Sequence, residues 1–122
     1  MSRAVLLLAS LALLALVGAG SAAAGSPAVH AAGKCHLSSH EQRHLGASYV
    51  TSLSVKKTSC KKGKGVVKAF NSCRGSARGR CTHKVKRYSC NESRTGISTQ
   101  FDSTVNCSRG GKRVHFTYTE NT

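Results

Sequence analysis

The chain has 122 residues, with 19 Lys and Arg against four Asp and Glu, a formal net charge of +15 at pH 7. A chain of this length forms at most one small domain, which excludes a multidomain enzyme and a fold built around a large cofactor. We therefore expect a small basic domain that carries no cofactor.

The first 24 residues have the pattern of a secretory signal. A short start contains Arg3, an apolar run covers residues 4–17, and Ala22, Ala23 and Ala24 form a small-residue cleavage site. The apolar run is too short for a membrane span. We therefore predict a secreted, extracellular protein with no integral membrane span after cleavage.

The rest of the chain divides into a short N-terminal segment and one domain. Residues 25–34 are mostly small, which predicts a flexible N-terminal segment, and residues 35–122 form a single small domain. Residues 49–55 alternate and predict a strand with Tyr49, Thr51, Leu53 and Val55 on one face. Thr58-Ser59 offers an N-cap, and the apolar positions from Cys60 to Arg74 fall on one helical arc.

The C-terminal half reads as strands. Residues 84–91 predict a second strand and residues 92–96 a turn; the clearest strand, 97–107, is followed by a last one over 112–119. If Gly110-Gly111 is a two-residue loop, the facing pairs are Arg109 with Lys112, Cys107 with Val114, Val105 with Phe116, and Ser103 with Tyr118. The predicted fold class is α+β, with one short helix packed on a small, mostly antiparallel sheet in the order strand-helix-strand-strand-strand.

Six cysteines in a short exported chain predict three disulfides, which would staple a thin core. Spacing alone allows 15 pairings. A right-handed crossover would make the first two strands parallel and would put Cys90 and Cys107 at opposite ends of adjacent strands. This layout predicts the pairs Cys60–Cys90, Cys73–Cys81 and Cys35–Cys107.

Several segments resemble a group of small exported, disulfide-containing proteins of high-GC Gram-positive bacteria, of actinobacterial type. The shared features are Ser59-Cys60 at a strand end, Val66-Val67 in a helix, Tyr88-x-Cys90, and the hairpin from Cys107 to Tyr118. The resemblance covers most of residues 48–122. It implies export and this fold, and it implies no activity and no site residues.

The segment 56–87 is the strongest functional signal, with twelve Lys and Arg and no acidic residue. Lys57, Lys61, Lys64 and Lys68 would form one stripe on a helix, and Lys84, Lys86 and Arg87 follow. Such a patch is typical of proteins that bind polyanions. We predict a monomer that binds an anionic polymer or surface electrostatically, without enzymatic activity; an envelope polymer, an anionic lipid and nucleic acid fit equally well.

Two sequence features suggest enzymatic alternatives. His40-Glu41-Gln42-Arg43-His44 matches H-E-x-x-H, but no motif marks a third ligand, so we interpret it as an exposed linker and expect no metal site. His83 and His115, with nearby lysines, suggest a small secreted hydrolase such as a ribonuclease, although His115 is expected to face solvent. A protein-partner or inhibitor module is a further alternative.

Overall fold

The computed structural model describes residues 32–122. The predicted signal segment 1–24 and residues 25–31 of the predicted flexible segment lie outside the described residues. The elements are β1 Gly33–Lys34, α1 Ser39–His44, β2 Tyr49–Lys56, α2 Cys60–Cys73, β3 Ser89–Ile97, β4 Gln100–Arg109 and β5 Lys112–Asn121. No helix within this range is long and apolar enough to cross a membrane.

The strands form one antiparallel sheet in the order β1-β2-β5-β4-β3. With one helix of 14 residues, one of six and three disulfides, the molecule is the small α+β domain that the sequence predicts. Two features are additional. Residues 33 and 34, at the end of the predicted flexible segment, pair with β2 as β1. The second is α1, whose N-cap Ser38 forms a capping box with Glu41.

Helix α2 begins where the sequence predicts. The Ser59 hydroxyl oxygen accepts a hydrogen bond from the Lys62 amide, and this bond caps the first turn of the helix. Its inner face packs against the sheet, and the rings of Phe70 and Phe116 meet edge to face with centroids 5.5 Å apart. The core lies between α2 and the strands β2, β5 and β4. Burial of each large apolar side chain of this core, such as Phe70 or Phe116, contributes roughly 1.5–3 kcal/mol to the stability of the fold.

The predicted C-terminal hairpin is confirmed in register. Arg109 faces Lys112, Cys107 faces Val114, Val105 faces Phe116 and Ser103 faces Tyr118. Gly110 occupies the left-handed region with φ +56°, which glycine adopts without steric cost. The apolar row is therefore continuous across β4 and β5 and supplies the floor on which α2 packs.

The second predicted strand is displaced along the chain. Residues 84–88 form a tight turn closed by the Val85–Tyr88 bridge, and β3 runs from Ser89 to Ile97. The predicted turn over 92–96 therefore lies inside a strand, and the chain reverses at 98–99 instead. The prediction was wrong because β3 directs Glu92 and Arg94 toward the helix side, so it lacks the apolar alternation expected of an inward-facing strand.

The predicted parallel arrangement is also wrong, and two disulfide pairings fail with it. β2 pairs with β5, and β3 lies at the far edge of the sheet, antiparallel to β2. The bonds are Cys35–Cys60, Cys73–Cys81 and Cys90–Cys107, so only Cys73–Cys81 was predicted correctly. Cys90 and Cys107 are directly opposite in the β3–β4 register, with Cα atoms 4.0 Å apart. The prediction separated them because it began this strand at residue 84, five residues before β3 begins, and so put Cys90 at the end of the strand instead of its start.

A bulge in β2 changes the face that two residues share. The register with β5 shifts between Val50 and Ser52, so Val50, Leu53 and Val55 are buried while Thr51 is exposed. Tyr49 and Thr51 therefore do not lie on the face of Leu53 and Val55, as the simple alternation predicted. A bulge inserts one unpaired residue, which inverts the alternation on one side of it.

Candidate anion-binding site

Nine basic residues meet at one end of the sheet, because β2 ends, α2 begins, and the β4–β5 turn closes there. We call this surface the basic end. Its members are Lys56, Lys57, Lys61, Lys62, Lys86, Arg87, Arg109, Lys112 and Arg113. All nine are exposed. The four acidic residues of the chain, Glu41, Glu92, Asp102 and Glu120, belong to other parts of the fold.

A cleft of about 490 Å³ opens within the basic end. Its cationic side chains come from three elements: Lys61 and Lys62 from α2, Lys86 from the turn before β3, and Arg109 and Lys112 from the hairpin. Val66 and Tyr88 contribute apolar surface, and Thr58 and Ser59 contribute hydroxyl groups. Donors and positive charge thus surround a concave space that no carboxylate lines, which suits an anionic group.

Three basic residues of the basic end, one of which lines the cleft, have an uncommon backbone conformation. In the described part of the chain, positive φ outside glycine occurs at Lys57, Lys86 and Arg87, with φ of 54°, 47° and 68°. Such residues are uncommon and cluster at functional sites. Lys57 Nζ lies 3.4 Å from the point where Gly111 would carry a Cβ, so this side chain crosses the hairpin turn. The backbone thereby keeps two lysines beside the cleft.

The basic end places like charges close to one another. Lys56 faces Arg113 across β2 and β5, and Arg109 faces Lys112 across the hairpin; like charges directly opposite destabilise a sheet. Lys61 and Lys62 occupy the first turn of α2, which contains no acidic residue, and the helix dipole disfavours cations there. An anion bound in the cleft would relieve the last two of these conflicts, because their residues line the cleft whereas Lys56 and Arg113 do not.

The predicted basic residues separate into two groups. Lys57, Lys61, Lys86 and Arg87 belong to the basic end. Lys57 lies before α2 rather than on it, so the predicted four-residue helical stripe does not form. Lys64 pairs with Glu41 of α1, Nζ to Oε1 2.5 Å, a partner that the acid-free segment 56–87 did not reveal.

Lys68 and Lys84 also lie apart from the cleft. Lys68 is exposed two turns along α2, and Lys84 lines a different cleft with His83. The residues that sequence reasoning missed are Lys62, Arg109 and Lys112, with Lys56 and Arg113 beside them. The sequence did contain a signal for Arg109, Lys112 and Arg113. The hairpin was predicted in the correct register, and these basic residues stand on the two sides of its Gly-Gly turn.

Arg74 is withdrawn from the surface altogether. Its guanidinium group pairs with Glu120 and donates to the Tyr118 hydroxyl at 2.8 Å. That hydroxyl donates to Glu92, which also accepts from Arg94 Nε at 2.7 Å. Burial alone would raise the pKa of Glu92, but the hydrogen bonds from Arg94 and Tyr118 lower it. This network is internal and joins α2 to the sheet.

The H-E-x-x-H segment forms the short helix α1 rather than a linker. The rings of His40 and His44 stack with centroids 3.9 Å apart, and Glu41 is engaged by Lys64 and the Ser38 amide. The Lys64 contact lowers the pKa of Glu41 from 4.5 to about 2. Across residues 32–122, no three His, Cys, Asp or Glu side chains converge as metal ligands would.

The predicted histidine pair is not brought together. The His83 ring lies against Cys73 Sγ at the end of α2, with Nε2 3.3 Å from the sulfur. His115 lies on the opposite face of the sheet and lines another cleft. The structure therefore does not join these two imidazoles in one site.

No protein-family model, no curated protein and no solved structure matches this chain.

Proposed function

We propose that the protein is an exported domain that binds anionic polymers or surfaces electrostatically through the basic end. One observation carries the proposal: five cations from three separate elements surround one cleft that no carboxylate lines. Solubility alone requires no such gathering of a single sign of charge, and self-repulsion destabilises the compact state. The three disulfides are consistent with an oxidising, exported setting.

The chemistry of the cleft favours phosphate-bearing ligands. Lysine ammonium groups act as compact point charges toward phosphate, and the first helical turn presents amides without intrahelical partners. Teichoic acid, anionic lipid and nucleic acid all present such groups. Base reading is not expected here, because Tyr88 is buried and no other aromatic side chain lines the cleft to stack a base.

The test is a salt titration of binding to heparin, teichoic acid, anionic vesicles and duplex DNA. Each lysine that neutralises a phosphate releases condensed counterions, so log affinity should fall linearly with log salt, by close to one unit of slope per contact on duplex DNA. The triple variant Lys61→Gln, Lys62→Gln and Lys112→Gln should weaken binding sharply and reduce the slope by about three units on DNA.

A matched variant separates the site from net charge. Arg43→Gln, Lys68→Gln and Arg78→Gln remove the same charge from exposed positions outside the basic end. This control should bind nearly as wild type does. Equal weakening in both triple variants would show that only net charge matters, and absence of salt-sensitive binding to every ligand would contradict the proposal.

A further inference from the structure

A second cleft, of about 540 Å³, lies on the sheet face opposite α2. Lys34, Ser54 and His115 form one row across three neighbouring strands, since Lys34 pairs with Ser54 and Ser54 with His115. Two strand spacings place the Cα atoms of Lys34 and His115 about 10 Å apart. His36 follows Lys34 by two residues and lines the same cleft. The fold thus brings two imidazoles and an ammonium group around one space.

The ring of His115 is held in a defined orientation. Its Nδ1 lies 2.7 Å from Asn106 Oδ1 on the paired strand β4. An amide oxygen can only accept, so Nδ1 carries the proton and the lone pair of the neutral ring is on Nε2. Asn106 therefore fixes which nitrogen of His115 is free to exchange a proton with a ligand.

The surroundings of the cleft suit a phosphodiester. Its other polar lining side chains are neutral, including Thr51, Ser52 and Gln42, and none of its lining residues is acidic. Because of the β2 bulge, the hydroxyl groups of Thr51 and Ser52 both lie on this face of the sheet. Each of them contacts Thr117 Oγ1. The next row along this face is Lys56 and Arg113, so two cations of the basic end lie next to the cleft.

We propose that His36 and His115 cleave RNA in this cleft by acid–base catalysis. The neutral imidazole takes the proton of a 2′-hydroxyl, whose oxygen forms a bond to the adjacent phosphorus. The bond from phosphorus to the 5′ oxygen breaks, and the protonated imidazole gives its proton to that leaving oxygen. The products are a 2′,3′-cyclic phosphate and a 5′-hydroxyl, and no other reactant is consumed. Lys34 offsets the charge on the phosphate.

This inference rests on the proposed function, because the basic end supplies the affinity for the RNA backbone. The test measures cleavage of single-stranded RNA by the purified oxidised protein. His36→Ala and His115→Ala should each reduce the rate by about 100-fold or more, the usual contribution of a general acid or base. His83→Ala is the matched control and should cleave as wild type does. The 2′-deoxy analogue should remain intact.

Two further readouts separate catalysis from folding and binding. Affinity for 2′-O-methyl RNA, which cannot form the cyclic product, should be unchanged in His36→Ala and His115→Ala, and so should their melting temperatures. Asn106→Ala tests a positioning residue: kcat should fall while KM stays unchanged, because the His115 ring loses the hydrogen-bond partner that orients it.

The two proposals fail differently. Salt-sensitive RNA binding without cleavage would overturn the catalytic inference and leave the basic end as a binding site. Cleavage that persists in both histidine variants would also overturn it, since the activity would then belong to a contaminating nuclease. Absence of binding to every polyanion would instead overturn the proposed function.

Discussion

Arg74, the residue that follows α2, lies over the ring of Tyr118 in β5, with its guanidinium carbon 4.7 Å from the ring centroid. The same guanidinium group pairs with Glu120, and both side chains are almost fully buried, 2% and 7% exposed. Arg94 repeats the arrangement over Phe101 at 4.5 Å and donates to the carbonyls of Arg78 and Gly79. One buried and one half-buried arginine therefore connect the end of α2 and the following loop to the sheet.

Breaking the inner ion pair should destabilise the domain strongly. Glu120→Gln leaves the Arg74 guanidinium group buried without a counter-charge, which typically costs about 3–5 kcal/mol. Urea unfolding followed by circular dichroism measures the change. Glu41→Gln is the control, because it removes the ion pair with Lys64, whose side chains are 34% and 26% exposed and therefore partly screened by solvent, and it should change stability less. Equal effects from the two substitutions would contradict the assignment of Arg74–Glu120 as a structural pair.

Glu92 should make the fold sensitive to acid. Its pKa is lowered in the folded chain: burial opposes the charge, but hydrogen bonds from Arg94, Tyr118 and Ser103 outweigh it. A carboxyl group of this kind stabilises the fold above its unfolded-state pKa of 4.5, and the stabilisation is lost as pH falls through the lower folded-state value.

The measurement is the free energy of unfolding between about pH 5 and pH 2. Glu92→Gln should be less stable than wild type at neutral pH, yet it should lose less stability across this acid range. Glu41→Gln should alter the slope less, and progressively less as salt is added, because that ion pair is partly exposed to solvent and is screened. An unchanged acid slope in Glu92→Gln would show that the network does not hold the charged form.

Substitution of two α2 glycines by alanine should change the free energy of unfolding in opposite directions. A Cβ on Gly63 would lie 2.6 Å from Val55 Cγ1, so the helix must move away from β2; overpacking of this kind costs about 1–3 kcal/mol. A Cβ on Gly65 would lie 3.5 Å from Lys86 Cε, an ordinary contact. Gly65→Ala should therefore gain up to about 1 kcal/mol from helix propensity. Thermal unfolding of the pair checks both signs.

Peptide mapping of the oxidised protein should recover Cys35–Cys60, Cys73–Cys81 and Cys90–Cys107. Replacing Cys90 and Cys107 together by alanine should lower the free energy of unfolding by about 3 kcal/mol, because the bond closes a loop of 17 residues in the unfolded chain. Recovery of a Cys60–Cys90 peptide would mean that β3 lies beside β2 rather than at the far edge of the sheet.

Helix α2 and the last hairpin could be predicted because their signals act between near neighbours. A cap at Ser59, an apolar arc over one helical face and the Gly110-Gly111 turn each operate within a few residues of chain. Once the turn was placed, the period of two fixed every facing pair of β4 and β5. The Cys73–Cys81 bond was correct although the layout that predicted it was wrong, because its cysteines are only eight positions apart and either strand arrangement leaves them close.

Strand order, the remaining disulfides and the membership of the site depended on contacts between distant segments. β2 pairs with β5, which lies more than fifty residues further along the chain, and no local pattern distinguishes this partner from β3. β3 was misplaced because its inward positions carry Glu92 and Arg94, whose burial becomes favourable only beside Tyr118 and Phe101.

The excess of positive charge, the use of all six cysteines in disulfides and the α+β class could all be predicted from the amino-acid sequence. The tertiary structure alone decided that Lys64 is neutralised by Glu41 while Arg109 and Lys112 join Lys61 at one cleft. It likewise decided that His36, rather than His83, shares a cleft with His115. The physical reason is that charge and periodicity are properties of the chain, whereas proximity in a sheet is set by which strands pair to bury the most apolar surface.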